Sequence, residues 1–179
     1  DIDLVIYTGA HQGIENIEVK TAIDMGIPVL PHGKALGMVM KNKKQISVAG
    51  SHGKTTTSAM IATIFMHAGL DASYAIGSGE IRGLGLPGHC GSGDYFIAEA
   101  DEYITDPTGD FTPRFLWQSP EYLVVTNIDY DHPDAYKTLS DVQNAFIALQ
   151  KKQIGKKVTL VNKDNIPSTV LVDAKRNNT

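Results

Sequence analysis

The stretch QISVAGSHGKTTT (residues 45–57) constrains the fold more than any other part of this chain. An apolar run typical of a strand leads into a loop with Gly50 and Gly53, and Lys54 follows at the start of a helical pattern. Two glycines allow a tight turn whose backbone N–H groups point inward at phosphate oxygens. The common phosphate-binding loop has four residues between its glycines, whereas this one has two. The spacing leaves two interpretations open, a coincidence or a different kind of nucleotide site.

Composition and charge exclude several classes of protein. The 179 residues are 42% hydrophobic and 20% charged, as in an ordinary globular protein. The net charge of −4 disfavours a nucleic-acid-binding surface, and no apolar run approaches the roughly 18 residues of a membrane span. The single cysteine, Cys90, favours a reducing compartment, so we expect a cytoplasmic protein. Because the chain opens without Met, we expect it to begin within a longer protein.

Strand and helix patterns alternate along the chain, which predicts an α/β fold with a mainly parallel sheet. Strands are predicted near residues 4–7, 27–31, 45–50, 95–98, 122–126 and 157–162. Helices are predicted near 14–25, 34–40, 55–68 and from a capping box SDVQ (140–143) to Gly155. The polar residues 41–44 indicate a domain boundary. Two stretches rich in Gly, Pro, Asp and Thr, 77–93 and 101–120, are predicted to be functional loops.

Polar residues follow three of the predicted strands. Lys54 and Thr55 follow the first, Glu99 the second and Asn127 to His132 the third. Ligands of open α/β sheets bind at the carboxyl ends of the strands, so these residues should meet at one edge. Lys54 would supply a point charge for the terminal phosphates and Thr55 a hydroxyl for Mg²⁺. A carboxylate and an imidazole beside a triphosphate predict a divalent metal site.

Each of these residues also has a purely structural interpretation. Glu99 equally fits a solvated strand end, and His132 equally fits a cap of the turn DHPD. The remaining histidines singled out are interpreted as structural, and Cys90 as an unreactive loop thiol; these histidines are His11, His32, His67 and His89. The motifs DPTG (106–109) and NKDN (162–165) resemble GTPase motifs without their usual context, which disfavours a GTPase.

Three motifs in this order resemble the central domain of the Mur ligases, which build the peptide stem of bacterial peptidoglycan. They are GSHGKTTTSAM (50–60), IAEADEY (97–103) and VTNIDYDHPDAY (125–136). The shortened glycine spacing is the spacing of that family. The resemblance implies that residues 1–42 are the C-terminal part of a UDP-substrate-binding Rossmann-like domain. It implies that residues 43–179 form an incomplete, P-loop-type central ATP-binding domain.

The resemblance also implies roles for individual residues, with ATP and Mg²⁺ as cofactors. Lys54, Glu99 and His132 match catalytic positions; Thr55 and Glu99 match ligands of the ATP-linked Mg²⁺, and His132 matches a ligand of a second metal. The nucleotide-binding positions are Gly50, Ser51, His52, Gly53, Lys54, Thr55, Thr56 and Asn127. The sequence departs from the family pattern at Ser51, usually threonine, and in the stretch TDPTGDFTPRF (105–115).

Within the family, His52 and Thr55 to Thr57 favour a ligase that joins L-alanine to UDP-N-acetylmuramate through an acyl phosphate. The resemblance implies small-molecule substrates, with neither nucleic acid nor membrane as a partner. Alternatives are a ligase that recycles murein peptide, a P-loop phosphotransferase and a non-catalytic nucleotide-binding protein. We expect the 179 residues on their own to be inactive as a ligase, because the segments that contact adenine and the amino acid are absent.

Overall fold

A six-stranded sheet forms the centre of the molecule. The structure is a computed structural model, and it describes residues 1–176. The strands are β1 (Val5–Tyr7), β2 (Val29–Pro31), β3 (Lys44–Ala49), β4 (Ser73–Ala75), β5 (Gly88–His89), β6 (Tyr95–Ala100), β7 (Ile104–Asp106), β8 (Asp110–Pro113), β9 (Tyr122–Val125) and β10 (Val158–Val161). The helices are α1 (Ile17–Asp24), α2 (His32–Met40), α3 (Lys54–His67), α4 (Leu139–Lys151) and α5 (Val170–Arg176). Short 3₁₀ helices span Gly13–Glu15, Arg114–Trp117 and Ile166–Thr169.

The central sheet has the order β10-β9-β3-β6-β4-β5, and only the pairing of β5 with β4 is antiparallel among its described pairs. The predicted α/β fold with a mainly parallel sheet is confirmed. Val48 in β3 and Ile97 in β6 have no exposed surface, as expected for apolar strands covered on both faces. Val48 lies opposite both Glu99 and Val124. The carboxyl ends of β3, β6 and β9 therefore lie side by side.

The helix α4 differs from its prediction at both ends. Its capping box is formed by Thr138 and Asp141, each side chain accepting the backbone N–H of the other residue, so the SDVQ assignment was wrong by two residues. The helix ends at Lys151, before the predicted end at Gly155. Several residues of cap type precede the helix, and local sequence alone does not distinguish between them. Val142, Phe146 and Leu149 are the buried residues of the helix, and Phe146 packs edge-on against Phe115.

Residues 1–42, called here the first segment, carry a separate two-stranded parallel sheet of β1 and β2. The last helix of this segment nevertheless packs on the central sheet, because Met40 is buried against Phe96 and Ala98. The domain boundary near residue 42 stays a prediction.

The stretch 101–120 has more regular structure than predicted. The strands β7 and β8 form an antiparallel hairpin, and a 3₁₀ helix follows at Arg114–Trp117. The DPTG motif (106–109) is the turn of this hairpin, where Asp106 accepts the N–H of Thr108. Within residues 1–176, every helix is too short or too polar to cross a membrane.

Candidate nucleotide and metal site

The loop between β3 and α3 is shaped by two glycines with positive φ. Gly50 has φ of 139° and Gly53 has φ of 82°, which L side chains adopt rarely. A Cβ atom on Gly50 would collide with the hydroxyl of Thr126 and approach the carbonyl of Asn127. The loop is therefore packed against the end of β9 at a distance that only glycine permits, and α3 begins directly after it.

Asn127 and Ser51 fix the loop in place. The side chain of Asn127 accepts the N–H of His52 at 3.0 Å and donates to its carbonyl at 2.8 Å. Ser51 donates its N–H to the carbonyl of Asn127, and its hydroxyl accepts the N–H of Asp129 at 2.8 Å. The two side chains thus bind the protein itself. Thr56, in contrast, is exposed in the first turn of α3, and His52 and Gly53 are exposed beside it.

Lys54 forms an ion pair with Glu102, which lies at the end of the motif IAEADE. Its Nζ lies 3.0 Å from Oε2 and 3.2 Å from Oε1 of Glu102, and it donates to the carbonyl of Gly50 at 2.6 Å. The carboxylate is only 1% exposed. Burial raises the pKa of Glu102 above its usual range, although the charge of Lys54 acts in the opposite direction. The lysine is therefore anchored beside the loop by Glu102 and by the carbonyl of Gly50.

Thr55 is bound to a second carboxylate, Glu99, which lies in β6 three residues before Glu102. Its hydroxyl donates to Oε2 of Glu99 at 3.1 Å, and the N–H of Gly77 donates to Oε1 at 2.7 Å. Glu99 is half-buried at the carboxyl end of β6. A hydroxyl and a carboxylate in contact at the start of a helix provide two oxygen ligands of the kind that Mg²⁺ prefers.

A cluster of Glu102, Asp131 and His132 offers a second set of metal ligands. One ligand atom from each residue lies within 4.8 Å of the others. The Nε2 atom of His132 lies 3.6 Å from Glu102 and 3.9 Å from Asp131, and its ring packs on Tyr103 with centroids 4.8 Å apart. His132 has φ of 55°, so a left-handed turn directs the imidazole. Two carboxylates and an imidazole fit a divalent cation.

The predicted metal ligands therefore divide between two places. Thr55 contacts Glu99, whereas His132 lies in the cluster with Glu102 and Asp131. The two places are adjacent because Lys54, which pairs with Glu102, directly precedes Thr55. Sequence reasoning placed Asp131 in the loop from Asn127 to His132 without giving it a ligand role, and it did not single out Glu102. Both lie inside the motifs that carried the resemblance, and a second acidic residue three positions after Glu99 was the available signal. The metal roles of these residues stay predictions.

His89, which was interpreted as structural, and Asn165 of the NKDN motif both have protein partners. His89 contacts Asp71 at 2.9 Å, and this aspartate also accepts the N–H and hydroxyl of Ser92 at 2.7 Å. In the NKDN motif, Asn165 accepts the N–H of Ile128 and of Ser168, which connects the motif to the chain after β9.

Comparison with known proteins gives one family and several relatives. The family model described as the Mur ligase middle domain matches residues 48–179. UDP-N-acetylmuramate–L-alanine ligase of Desulfitobacterium hafniense is 40% identical over 150 residues, which are 84% of this chain and 31% of that protein. The protein of the same name in Geotalea uraniireducens is 36% identical over 181 residues, which cover 100% of this chain and 37% of that protein.

Solved structures also resemble the chain. The UDP-N-acetylmuramate:L-alanyl-γ-D-glutamyl-meso-diaminopimelate ligase of Neisseria meningitides has a TM-score of 0.81 at 24% identity, over 96% of this chain and 55% of that one. The UDP-N-acetylmuramate–alanine ligase of Thermotoga maritima has a TM-score of 0.78 at 25% identity, over 94% and 37%. The chain thus spans about a third of the length of the curated relatives it matches.

Proposed function

The chain belongs to the Mur ligase family, and on that premise we propose that it is the ATP-binding part of a ligase that joins L-alanine to UDP-N-acetylmuramate. The single observation that carries the proposal is the pairing at the start of α3. Lys54 contacts Glu102, and the next residue, Thr55, contacts Glu99. A phosphate-binding lysine and a metal-binding hydroxyl are thereby held at the edge of the sheet where ligands of α/β proteins bind.

The reaction requires activation of a carboxylate, because hydroxide is a poor leaving group. The lactyl carboxylate of UDP-N-acetylmuramate attacks the γ-phosphorus of ATP, which forms an acyl phosphate and releases ADP. The amine of L-alanine then attacks the acyl carbon, loses a proton and displaces inorganic phosphate. The protein contributes positioning and charge neutralisation, as is usual in phosphoryl transfer.

The described residues fit this task. The N–H groups of residues 53–55 at the start of α3 favour negative charge, and the ammonium group of Lys54 lies beside them. Thr55 and Glu99 would bind the Mg²⁺ that accompanies ATP, and Glu102, Asp131 and His132 would bind a second divalent cation. Such cations neutralise charge on the transferred phosphoryl group. Removal of one electrostatic group of this kind typically lowers kcat by about 10²–10³-fold.

The proposal includes a cytoplasmic location, the compartment in which the unpaired Cys90 stays reduced. A recycling ligase that attaches a murein peptide to the same sugar nucleotide is the second candidate. The names of the curated relatives support the alanine ligase, whereas the Neisseria structure, at 24% identity, supports only the shared fold.

The test uses the full-length protein that contains these residues. It is supplied with ATP, Mg²⁺, UDP-N-acetylmuramate and either L-alanine or the tripeptide L-alanyl-γ-D-glutamyl-meso-diaminopimelate. We expect UDP-N-acetylmuramoyl-L-alanine to form with L-alanine, and Lys54→Ala to abolish its formation. Lys44→Ala is the matched control, because Lys44 pairs with Asp94 at the opposite end of β3. Product with the tripeptide alone would select the recycling ligase, and phosphate transfer to another acceptor without amide would select a phosphotransferase.

A further inference from the structure

The residues from Ile104 to Trp117, called here the hairpin segment, pack closely on the first segment. Four glycines of the first segment meet it, and a Cβ atom on any of them would collide with it or crowd it. Gly9 meets the carbonyl of Thr105, Gly13 the carboxylate of Asp106, and Gly33 and Gly37 meet Trp117. Backbone approaches this close occur where glycine is present. The hairpin segment contains the whole of the TDPTGDFTPRF stretch that departs from the family pattern.

Asp106 forms the polar contact of this interface. It is 1% exposed and accepts the N–H of Ile14 at 2.8 Å, across 92 residues of sequence. Its other oxygen accepts the N–H of Thr108 at 2.9 Å and the hydroxyl of Thr108 at 2.6 Å. Burial acts to raise the pKa of Asp106, but these hydrogen bonds outweigh it and lower that pKa. The carboxylate therefore ties the turn of the hairpin to the loop before α1.

Trp117 forms the second contact, on α2. Its indole N–H donates to the hydroxyl of Thr105 at 3.0 Å, and Lys34 lies 5.6 Å above the ring. Because Thr105 is the neighbour of Asp106, the two contacts share the strand β7. Trp117 is the single tryptophan of the chain, so its fluorescence reports on this interface alone.

A cavity of about 370 Å³ lies beside this interface, and residues of α2 and Arg114 of the hairpin segment contribute to its lining. One wall is α2, with His32 and Leu36, and the other contains Glu99 and Arg114. The volume is in the range of small-molecule sites. Since Glu99 binds Thr55 of the phosphate loop, the cavity opens beside the proposed reaction centre. A shift of the first segment would change the distance between the two walls.

We propose that the hairpin segment is a brace between the first segment and the nucleotide-binding part, and that Asp106 is its positioning residue. The inference deepens the proposed function, because the brace would set where an acceptor in the cavity meets the phosphate loop. A substitution far from the reacting atoms that misplaces them by about 1 Å can lower the reaction rate by about 10²-fold.

Asp106→Asn tests the brace directly. An asparagine side chain replaces one of the two acceptor oxygens by a donor, so either Ile14 or Thr108 loses its acceptor. We expect the amide hydrogen of Ile14 to exchange about 10-fold to 100-fold faster. We also expect acrylamide to quench Trp117 more strongly, while exchange in β3 and β6 stays unchanged. Asp110→Asn is the matched control, because the side chain of Asp110 accepts the N–H of Thr112 within the hairpin itself.

Faster exchange at Ile14 with unchanged quenching of Trp117 would mean that Asp106 holds only the residues around Ile14 and not the whole interface. That result would overturn the brace. Unchanged exchange at both Ile14 and Thr108 would overturn it as well. If only Thr108 exchanges faster, the asparagine has kept its oxygen toward Ile14, and Gly13→Ala decides by the exchange at Ile14 and the quenching of Trp117. If Asp106→Asn fails to fold, Gly13→Ala decides by the same two measurements, because it keeps the carboxylate and displaces the loop.

A further measurement uses the kinetics of the ligase reaction, and it therefore depends on the proposed function. In the ligase assay, Asp106→Asn should raise the KM for UDP-N-acetylmuramate about 10-fold and leave the KM for ATP unchanged. Equal changes in both constants would contradict a role in positioning the acceptor. If the unaltered protein forms no amide, the proposed function fails, and the exchange and quenching results still decide on the brace.

Discussion

The Nζ atom of Lys54 lies 3.0 Å from a carboxylate oxygen of Glu102, whose side chain is almost fully buried. The lysine is itself only 17% exposed, so the pair is shielded from solvent. Removing one member of a shielded pair leaves a buried charge without a partner, which destabilises more than removing both. Lys54 thus has a structural role as well as its proposed role in binding phosphate.

Lys54→Ala should lower the free energy of unfolding by about 3 kcal/mol, because Glu102 is left unpaired. The double variant Lys54→Ala/Glu102→Gln should recover most of that loss, since a neutral amide tolerates burial better than a carboxylate. Urea denaturation measures the stability, and calorimetry measures the affinity for Mg²⁺-ATP. We expect both variants to bind nucleotide poorly. Equal stability of the single and double variants would contradict the coupling.

His132→Asn should weaken the binding of Mn²⁺, used as a probe of the cluster with Glu102 and Asp131, by at least about 10-fold. Asparagine tolerates the positive φ of this position, so the loss reports on the imidazole and not on the backbone. His11→Asn is the control, because His11 is exposed and also has a positive φ. Titration followed by electron paramagnetic resonance measures the affinity. An unaltered affinity would show that His132 binds no metal here.

Gly50→Ala should disrupt the phosphate loop, because the new methyl group collides with the end of β9 and the backbone is strained. We expect a loss of stability of about 1–3 kcal/mol and a Kd for Mg²⁺-ATP raised at least about 10-fold. Gly79→Ala is the control, since a Cβ atom there has no described heavy atom within 4 Å. The loop assignment would have to be abandoned if Gly50→Ala bound nucleotide normally.

The loop after β5 should lose local stability in acid. Hydrogen bonds from His89 and Ser92 hold the pKa of Asp71 below its ordinary value. A lowered pKa means that the stabilisation is complete above the unfolded-state pKa of about 3.9 and declines as the pH falls below it. The protection of the Ser92 amide against hydrogen exchange should therefore decrease below about pH 4. Asp71→Asn should remove this dependence, whereas Asp94→Asn should leave it unchanged.

Local patterns were sufficient for the strand β3, the loop that follows it and the helix α3. Glycine spacing, the apolar run before it and the helical period after it depend on neighbouring residues, so β3, Gly50, Gly53 and α3 were predicted within one or two residues. The hairpin of β7 and β8 was missed, because its short strands are rich in turn residues and stabilised by contacts with the first segment. The cap of α4 was misplaced among several residues with similar propensity.

The sequence by itself determined which strands end in functional side chains, since that depends only on residue order. Which side chains meet was decided by the tertiary structure. Glu102 reaches Lys54 across 48 residues, and Asp106 reaches Ile14 across 92. These contacts depend on the order and register of β3, β6 and β9, and on where the first segment docks. A pattern along the chain specifies the direction of neighbouring side chains, but only packing of distant elements brings a buried carboxylate to its partner.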